Sequence, residues 1–186
     1  LASLQAVPGA AEGEAAGSGT AHSGSVAPAL LGGFTVARKD TVTAVDASIP
    51  LVACLPEMAV STRDARGVVP ASASMADVVH TVGSAATLAV GMCRDDPTLV
   101  GTGMDERIVT PSRAELITEY ETVRAAALDA GATGVTVSGA GPAVLAPCRE
   151  PDRRHVAAAM VDAFANAGVE SRAYQTRVSA GATLYD

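Results

Sequence analysis

The chain has 186 residues, carries 13 Lys and Arg against 20 Asp and Glu for a formal net charge of -7, and contains no Trp and only 3% aromatic residues. Lys39 is its single lysine, so no basic stripe can neutralise a run of phosphates, and nucleic acid is excluded as a partner. The length allows one well-packed domain, or one domain with part of another, burying about 70% of its unfolded surface; the core must come from Ala, Val and Leu around Phe34, Phe164, Tyr120, Tyr174 and Tyr185.

Leu1 stands where a start would carry Met, and the opening residues read as mid-pattern, so a segment upstream is expected. Leu4 to Ala16 reads as the last turns of a helix that Gly17 to Gly19 end. Val26 to Leu31 is a short apolar helix with Pro28 in its first turn, closed by Gly32 and Gly33. The β-branched runs Phe34-Thr-Val-Ala37 and Thr41-Val-Thr-Ala-Val45 form a hairpin. Ile49 to Leu55 is a near-continuous apolar run, predicting a buried strand that opens a new domain.

Ser61 or Thr62 caps a short helix that runs to Val69 before Pro70. Met75 to Met92 and Pro111 to Ala130 have helical apolar spacing, the second closed by Gly131. Gly134 to Ser138 and Ala143 to Ala146 are strands joined by Gly139-Ala-Gly-Pro142. Asp152 to Ala167 is an amphipathic helix ended by Gly168, and Val169 to Val178 and Ala182 to Tyr185 are edge strands. From Ile49 the order is strand, helices, strand, strand, helix, strand, strand, which predicts an α+β sandwich with helices on one face of a largely antiparallel sheet.

Cys54, Cys93 and Cys148 are odd in number and lie in apolar stretches, which predicts reduced, buried thiols in a reducing compartment rather than disulfides or a zinc site. No apolar run approaching the ~20 residues of a bilayer span is evident, nor a cleavable leader, so a soluble cytoplasmic protein with no membrane partner is expected. An acidic, lysine-poor surface also suits a high-salt cytoplasm.

Two segments bear on chemistry. Glu14 to Phe34 offers a carboxylate at a helix end, a Gly/Ser loop, the lone His22 and Val26-Ala-Pro-Ala-Leu-Leu-Gly-Gly33; Val137-Ser-Gly-Ala-Gly-Pro142 offers a strand and a tight Gly turn. A Gly turn after a strand is commonly a plain β-turn, and Arg66 and Arg113 alone would pass for surface charges. In this order, with Ser61-Thr-Arg-Asp-Ala-Arg66 and Met104-Asp-Glu-Arg-Ile-Val-Thr-Pro-Ser-Arg113, the segments resemble the homoserine kinases of the galacto-, homoserine, mevalonate and phosphomevalonate (GHMP) kinase superfamily over nearly the whole chain.

The resemblance implies the end of a GHMP amino-terminal domain over residues 1–47 and a ferredoxin-like carboxy-terminal domain over 48–186, with ATP and Mg2+ as cofactors and L-homoserine as substrate. Glu14 falls on the metal-binding carboxylate, where a hard cation takes oxygen ligands. His22 falls on a substrate-pocket histidine, and Glu14 and His22 together carry the catalytic positions. Ser25, Thr62, Arg66, Arg113 and Gly139 fall on substrate-binding positions, the two guanidinium forks gripping a carboxylate. Ser138, Gly139, Ala140 and Gly141 fall on the motif that approaches the nucleotide phosphates, where a Cβ would obstruct.

His80 and His155 have no counterpart and read as helix-face residues. The sequence departs from the family at Gly24 and Ser25, where Asp and Asn contact the substrate hydroxyl, and at Ala143, where Thr is frequent. The Pro-x-x-x-Gly-Leu-Gly-Ser-Ser-Ala phosphate loop is absent from these residues, implying an incomplete and inactive fragment. A kinase for mevalonate or a sugar and a non-catalytic amino-acid-binding module stay open as alternatives, and the assembly stays open between monomer and homodimer.

Overall fold

The computed structural model describes residues 2–4, 26–38 and 41–182, which fall into two compact units: one from the residues up to 48 together with those from 178, the other from 49 to 177. In the first unit β1 (Ala2–Leu4), β2 (Phe34–Arg38) and β3 (Thr41–Val45) form an antiparallel sheet in the order β1-β3-β2. The expected hairpin is present, with Phe34 opposite Val45 and Arg38 opposite Thr41. Helix α1 (Val26–Leu31) stops at Gly32, whose φ of 68° is left-handed; a Cβ there would sit 2.0 Å from the Gly181 amide nitrogen, so the tail can cross the helix end only over a glycine. Ala182 is accordingly no strand residue: its amide donates to Ala29 and Leu30 carbonyls. Leu4 lies in β1 rather than in a helix, and the rest of the expected helix to Ala16 lies outside the described residues, as do 183–186.

The second unit opens with β4 (Pro50–Pro56) and adds β5 (Thr136–Val137), β6 (Val144–Pro147) and β7 (Ser171–Arg177), all antiparallel, in the order β5-β6-β4-β7. Numbered from β4 the succession is β-α-β-β-α-β with strands ordered 4-1-3-2, the ferredoxin-like arrangement expected. Register explains the layers. Val52 lies opposite Ala146, and Cys54 opposite both Val144 and Ala173, so one face collects the buried residues. Ala53, Leu145, Leu55 and Tyr174 fall on the other, with Leu55 and Tyr174 exposed.

Helix α7 (Arg153–Asn166) supplies the cover, burying Val156, Ala157, Met160, Ala163 and Phe164, a stripe at helical spacing. Phe164 and Met160 are its largest fully buried side chains, each contributing roughly 1.5–3 kcal/mol. Gly168, at φ 75°, stops the chain where the sequence places the end. Helix α6 (Tyr120–Asp129) packs beside α7 through Val123 and Ala127.

Between β4 and α6 lie four further helices. Two begin as the sequence predicts: α2 (Thr62–Gly67), with Ser61 Oγ accepting the Asp64 amide at 3.0 Å, and α3 (Met75–Cys93), with Ser74 Oγ accepting the Asp77 amide at 3.1 Å. Helix α4 (Pro97–Gly103) is unanticipated, capped by Asp96 with Pro97 in its first turn. The single helix expected over Pro111 to Ala130 is two, α5 (Thr110–Ala114) and α6, separated by a turn in which Glu119 takes φ 58°. The i to i+3 hydrogen bonds Ile117 to Ala114 and Tyr120 to Ile117 tighten that turn. It buries Ile117 and Tyr120, whose hydroxyl donates to the Val135 carbonyl at 3.4 Å.

Two further expectations are corrected. Helix α3 has 19 residues with a mean hydropathy of 1.2, enough to cross a membrane by length and composition, contrary to the expectation that no run approaches a span. Its Ser74–Asp77 cap, its His80–Asp105 contact and its packing against α4 at Gly91 are those of a domain helix. Cys54 and Cys148 are buried, and burial pushes the Cys148 thiol up to about 11, but Cys93 is exposed in the last turn of α3.

Helix α4 owes its place to an approach without side chains. A Cβ on Gly101 would fall 2.0 Å from the Thr133 carbonyl oxygen, and one on Gly134 2.5 Å from that of Gly101. Gly101→Ala is expected to destabilise the protein by about 1–3 kcal/mol through overpacking against backbone, lowering Tm by several degrees in a thermal melt. An unchanged Tm would refute the approach.

Candidate functional site

Three elements remote in sequence meet at Arg113. Helix α2 begins with Thr62 and carries Arg66 four residues on, so both side chains leave from one helical face; both residues are exposed while Ala65 between them is buried. The β5–β6 connection, Ser138 to Ala143, closes through the Gly141 amide donating to the Ser138 carbonyl at 2.8 Å and the Ser138 amide to the Ala143 carbonyl at 2.8 Å. It requires φ 56° at Gly139 and φ 82° at Gly141, which glycine adopts at no steric cost.

Half-buried Arg113, in the last turn of α5, joins the two: its Nε donates to the Ala65 carbonyl at 3.2 Å and its Nη1 to the Gly139 carbonyl at 2.8 Å. That leaves Nη2 without a partner among the described residues. The amides of Gly139 and Ala140 also make no hydrogen bond among the described residues, and a Cβ built on Gly139 would touch nothing within 4 Å. A fixed guanidinium with one nitrogen to spare, beside a turn whose Gly139 and Ala140 amides have no partner among the described residues, is equipped to hold an anionic group such as a carboxylate or phosphate.

The structure thus brings Arg113, one of the predicted substrate positions, to the helix that carries Thr62 and Arg66 and to the Ser138–Gly141 turn. Glu14, His22 and Ser25 lie outside the described residues. His80, expected on a helix face, ties α3 to the segment that follows α4, its Nε2 lying 2.9 Å from Asp105 Oδ2 and 3.0 Å from the Asp105 carbonyl.

Glu106 lies within the Met104–Arg113 segment that carries the family resemblance, but the resemblance gives it no role. Its Oε1 accepts the Ile108 and Val109 amides at 2.5 and 3.0 Å, and its Oε2 the Val109 and Thr110 amides at 2.9 and 2.6 Å. The signal is present in Glu106-Arg-Ile-Val-Thr-Pro111, an acidic residue shortly before a proline that opens a helix. Partial burial pushes this carboxyl up, but the amides from Thr110, Ile108 and Val109 outweigh it and hold it below its ordinary value.

Several known proteins resemble the chain. Residues 88–166, from α3 to α7 and including Arg113 and the glycine turn, match the family described as GHMP kinases C terminal. The homoserine kinase of Haloquadratum walsbyi is 71% identical over 185 residues, covering all of this chain, and that of Halorubrum lacusprofundi is 67% identical over 186. The chain spans 64% of the length of each. The crystal structure of homoserine kinase from Cytophaga hutchinsonii aligns at TM-score 0.84 and 33% identity, over 91% of this chain and 56% of that one.

A carboxyl whose folded value is depressed stabilises above its unfolded value near 4.5, and that stabilisation is lost as pH falls through the folded value. The stability lost in Glu106→Gln is therefore expected to be full at neutral pH and to shrink below about 4.5, as read by denaturant unfolding across pH. A deficit that stays constant into acid would contradict an ionised cap.

Proposed function

We infer that this chain, which belongs to the GHMP kinase family, is the distal part of a homoserine kinase that transfers the γ-phosphoryl group of ATP to the hydroxyl of L-homoserine in threonine biosynthesis. The observation that carries the reading is Arg113's bridge between α2 and the glycine turn, in a chain 71% identical to a homoserine kinase. L-Homoserine is a small zwitterion with a carboxylate at one end and the accepting hydroxyl at the other. A site that fixes the carboxylate presents the hydroxyl, and held geometry alone removes several kcal/mol from such a barrier.

In this reading Arg113 offers Nη2 to the substrate carboxylate, joined by Arg66 from α2, with Thr62 on the same helical face. Gly139 and Ala140 turn their amides toward an anionic oxygen, Ser138 and Gly141 setting the turn that aims them. His22 and Ser25 fall on substrate-side positions by the family resemblance, and Gly24 and Ser25 stand where the family usually has Asp and Asn. Mg2+ suits the oxygen donor of Glu14, and the free turn amides suit a phosphate oxygen. Magnesium-bound ATP supplies the transferable phosphoryl group and neutralises its charge.

A loose phosphoryl-transfer transition state needs little proton chemistry, so these residues act by positioning and by charge. The Pro-x-x-x-Gly-Leu-Gly-Ser-Ser-Ala phosphate loop is absent from these residues, and on this reading the chain by itself binds ATP and homoserine poorly. The enzyme is cytoplasmic, where Cys54, Cys93 and Cys148 stay reduced.

In the full-length protein that carries this chain, Arg113→Ala is expected to raise KM for L-homoserine by about 10–100-fold, the loss of a hydrogen bond to a charged group, with KM for ATP little changed. An unchanged homoserine KM, or phosphorylation of mevalonate or galactose instead of homoserine, would overturn the assignment.

A further inference from the structure

We propose that Glu106 is the positioning residue for Arg113: it fixes the start of α5 so that the guanidinium reaches both Ala65 and Gly139. Helix α5 has five residues, far too few to be stable by itself, so its direction must be imposed from outside. Its preceding residue, Val109, supplies no side-chain cap, and Pro111 has no amide to offer. Glu106 meets the need by gathering three consecutive amides, Ile108, Val109 and Thr110, onto one carboxylate.

The hydrogen bonds then run without a gap. The Glu106 carboxylate holds the Val109 amide, the Val109 carbonyl accepts the Arg113 amide at 3.1 Å, and Arg113 spends Nε and Nη1 on Ala65 and Gly139. Glu106 itself stands on an anchored base, because both neighbours are tied to α3. Asp105 meets His80 at 2.9 Å, and the Arg107 amide donates to Thr81 Oγ1 at 3.4 Å.

A glutamine cannot substitute. It keeps one acceptor oxygen but turns its own N–H groups toward amides that also donate. Aspartate can do so in part, as Asp96 shows by accepting the amides two and three residues on, Thr98 and Leu99. Asp96 also serves as the contrasting case: it caps α4, which carries no arginine to the glycine turn, so its loss is an ordinary loss of stability.

The spectroscopic signature of the positioned arginine is its Nε–H resonance, shifted and protected from exchange while it is bonded to the Ala65 carbonyl. In the 15N-labelled full-length protein that carries this chain, protection of the Arg113 Nε–H is expected to fall from wild type through Glu106→Asp to Glu106→Gln, with Asp96→Ala at the wild-type level. Methyl resonances of Val52 and Met160 confirm that each variant retains its core. Equal protection in wild type and Glu106→Gln overturns the proposal; if Glu106→Gln does not fold, equal protection in Glu106→Asp and Asp96→Ala does so.

The kinetic consequence rests on the homoserine kinase reading. Glu106→Gln should raise homoserine KM about tenfold or more, with ATP KM little moved and Glu106→Asp recovering part of the loss. Lost protection of Arg113 with an unmoved homoserine KM would leave Glu106 as the positioning residue and refute the carboxylate-binding role of Arg113.

Discussion

Two hydrogen bonds from a single guanidinium hold the candidate site together. Ala65 lies 48 residues before Arg113 and Gly139 lies 26 after it, so only the folded chain can place both carbonyls within reach of one planar fork. Each bond to a charged donor contributes on the order of 1.5–3 kcal/mol when well made, enough to select one rotamer of a long side chain against its entropy. Lysine could not replace it: its ammonium is a point charge and cannot serve two carbonyls in fixed directions while leaving a third donor aimed elsewhere. The spare nitrogen is consequently pre-oriented, and a ligand that uses it need not order the side chain first.

Everything around Arg113 serves to fix its two acceptors and its own origin. The glycine turn ends the β5–β6 hairpin, whose register Val137 and Val144 set at the buried face of the sheet. A Cβ on Gly141 would lie 3.4 Å from Ile117, so the turn rests on the segment that interrupts α5 and α6. The contact between Gly101 and Gly134 fixes the entry to β5 from the other side. Ala65 is buried, which makes the last turn of α2 a firm acceptor. The ferredoxin-like sandwich is thus a frame that gives a short, intrinsically unstable helix a single orientation.

Much of this frame was legible in the amino-acid order because local punctuation coincided with real boundaries. Ser61 caps α2, Gly131 and Gly168 follow helix ends at positive φ, and the β-branched runs pair as strands. Helix α4 was missed because Gly101 and Gly103 lower helix propensity, and only tertiary contacts account for them, Gly101 against Gly134 and Gly103 against Leu88 of α3. The break at 115–119 was missed because no glycine or proline marks it; Glu119 takes the left-handed conformation that the burial of Ile117 and Tyr120 demands. Of the site, the residue types were readable from their motifs, but the commitment of Arg113 to two carbonyls and of Glu106 to three amides depends on tertiary placement.

The account turns on Arg113 presenting Nη2 to a carboxylate while Nε and Nη1 stay on the protein. A crystal structure of the full-length protein carrying this chain, with L-homoserine bound, examines that arrangement directly. The substrate carboxylate is predicted within hydrogen-bonding distance of Nη2, with the bonds to Ala65 and Gly139 intact. A carboxylate bound away from Arg113, or a guanidinium turned out of its two carbonyls, would contradict it.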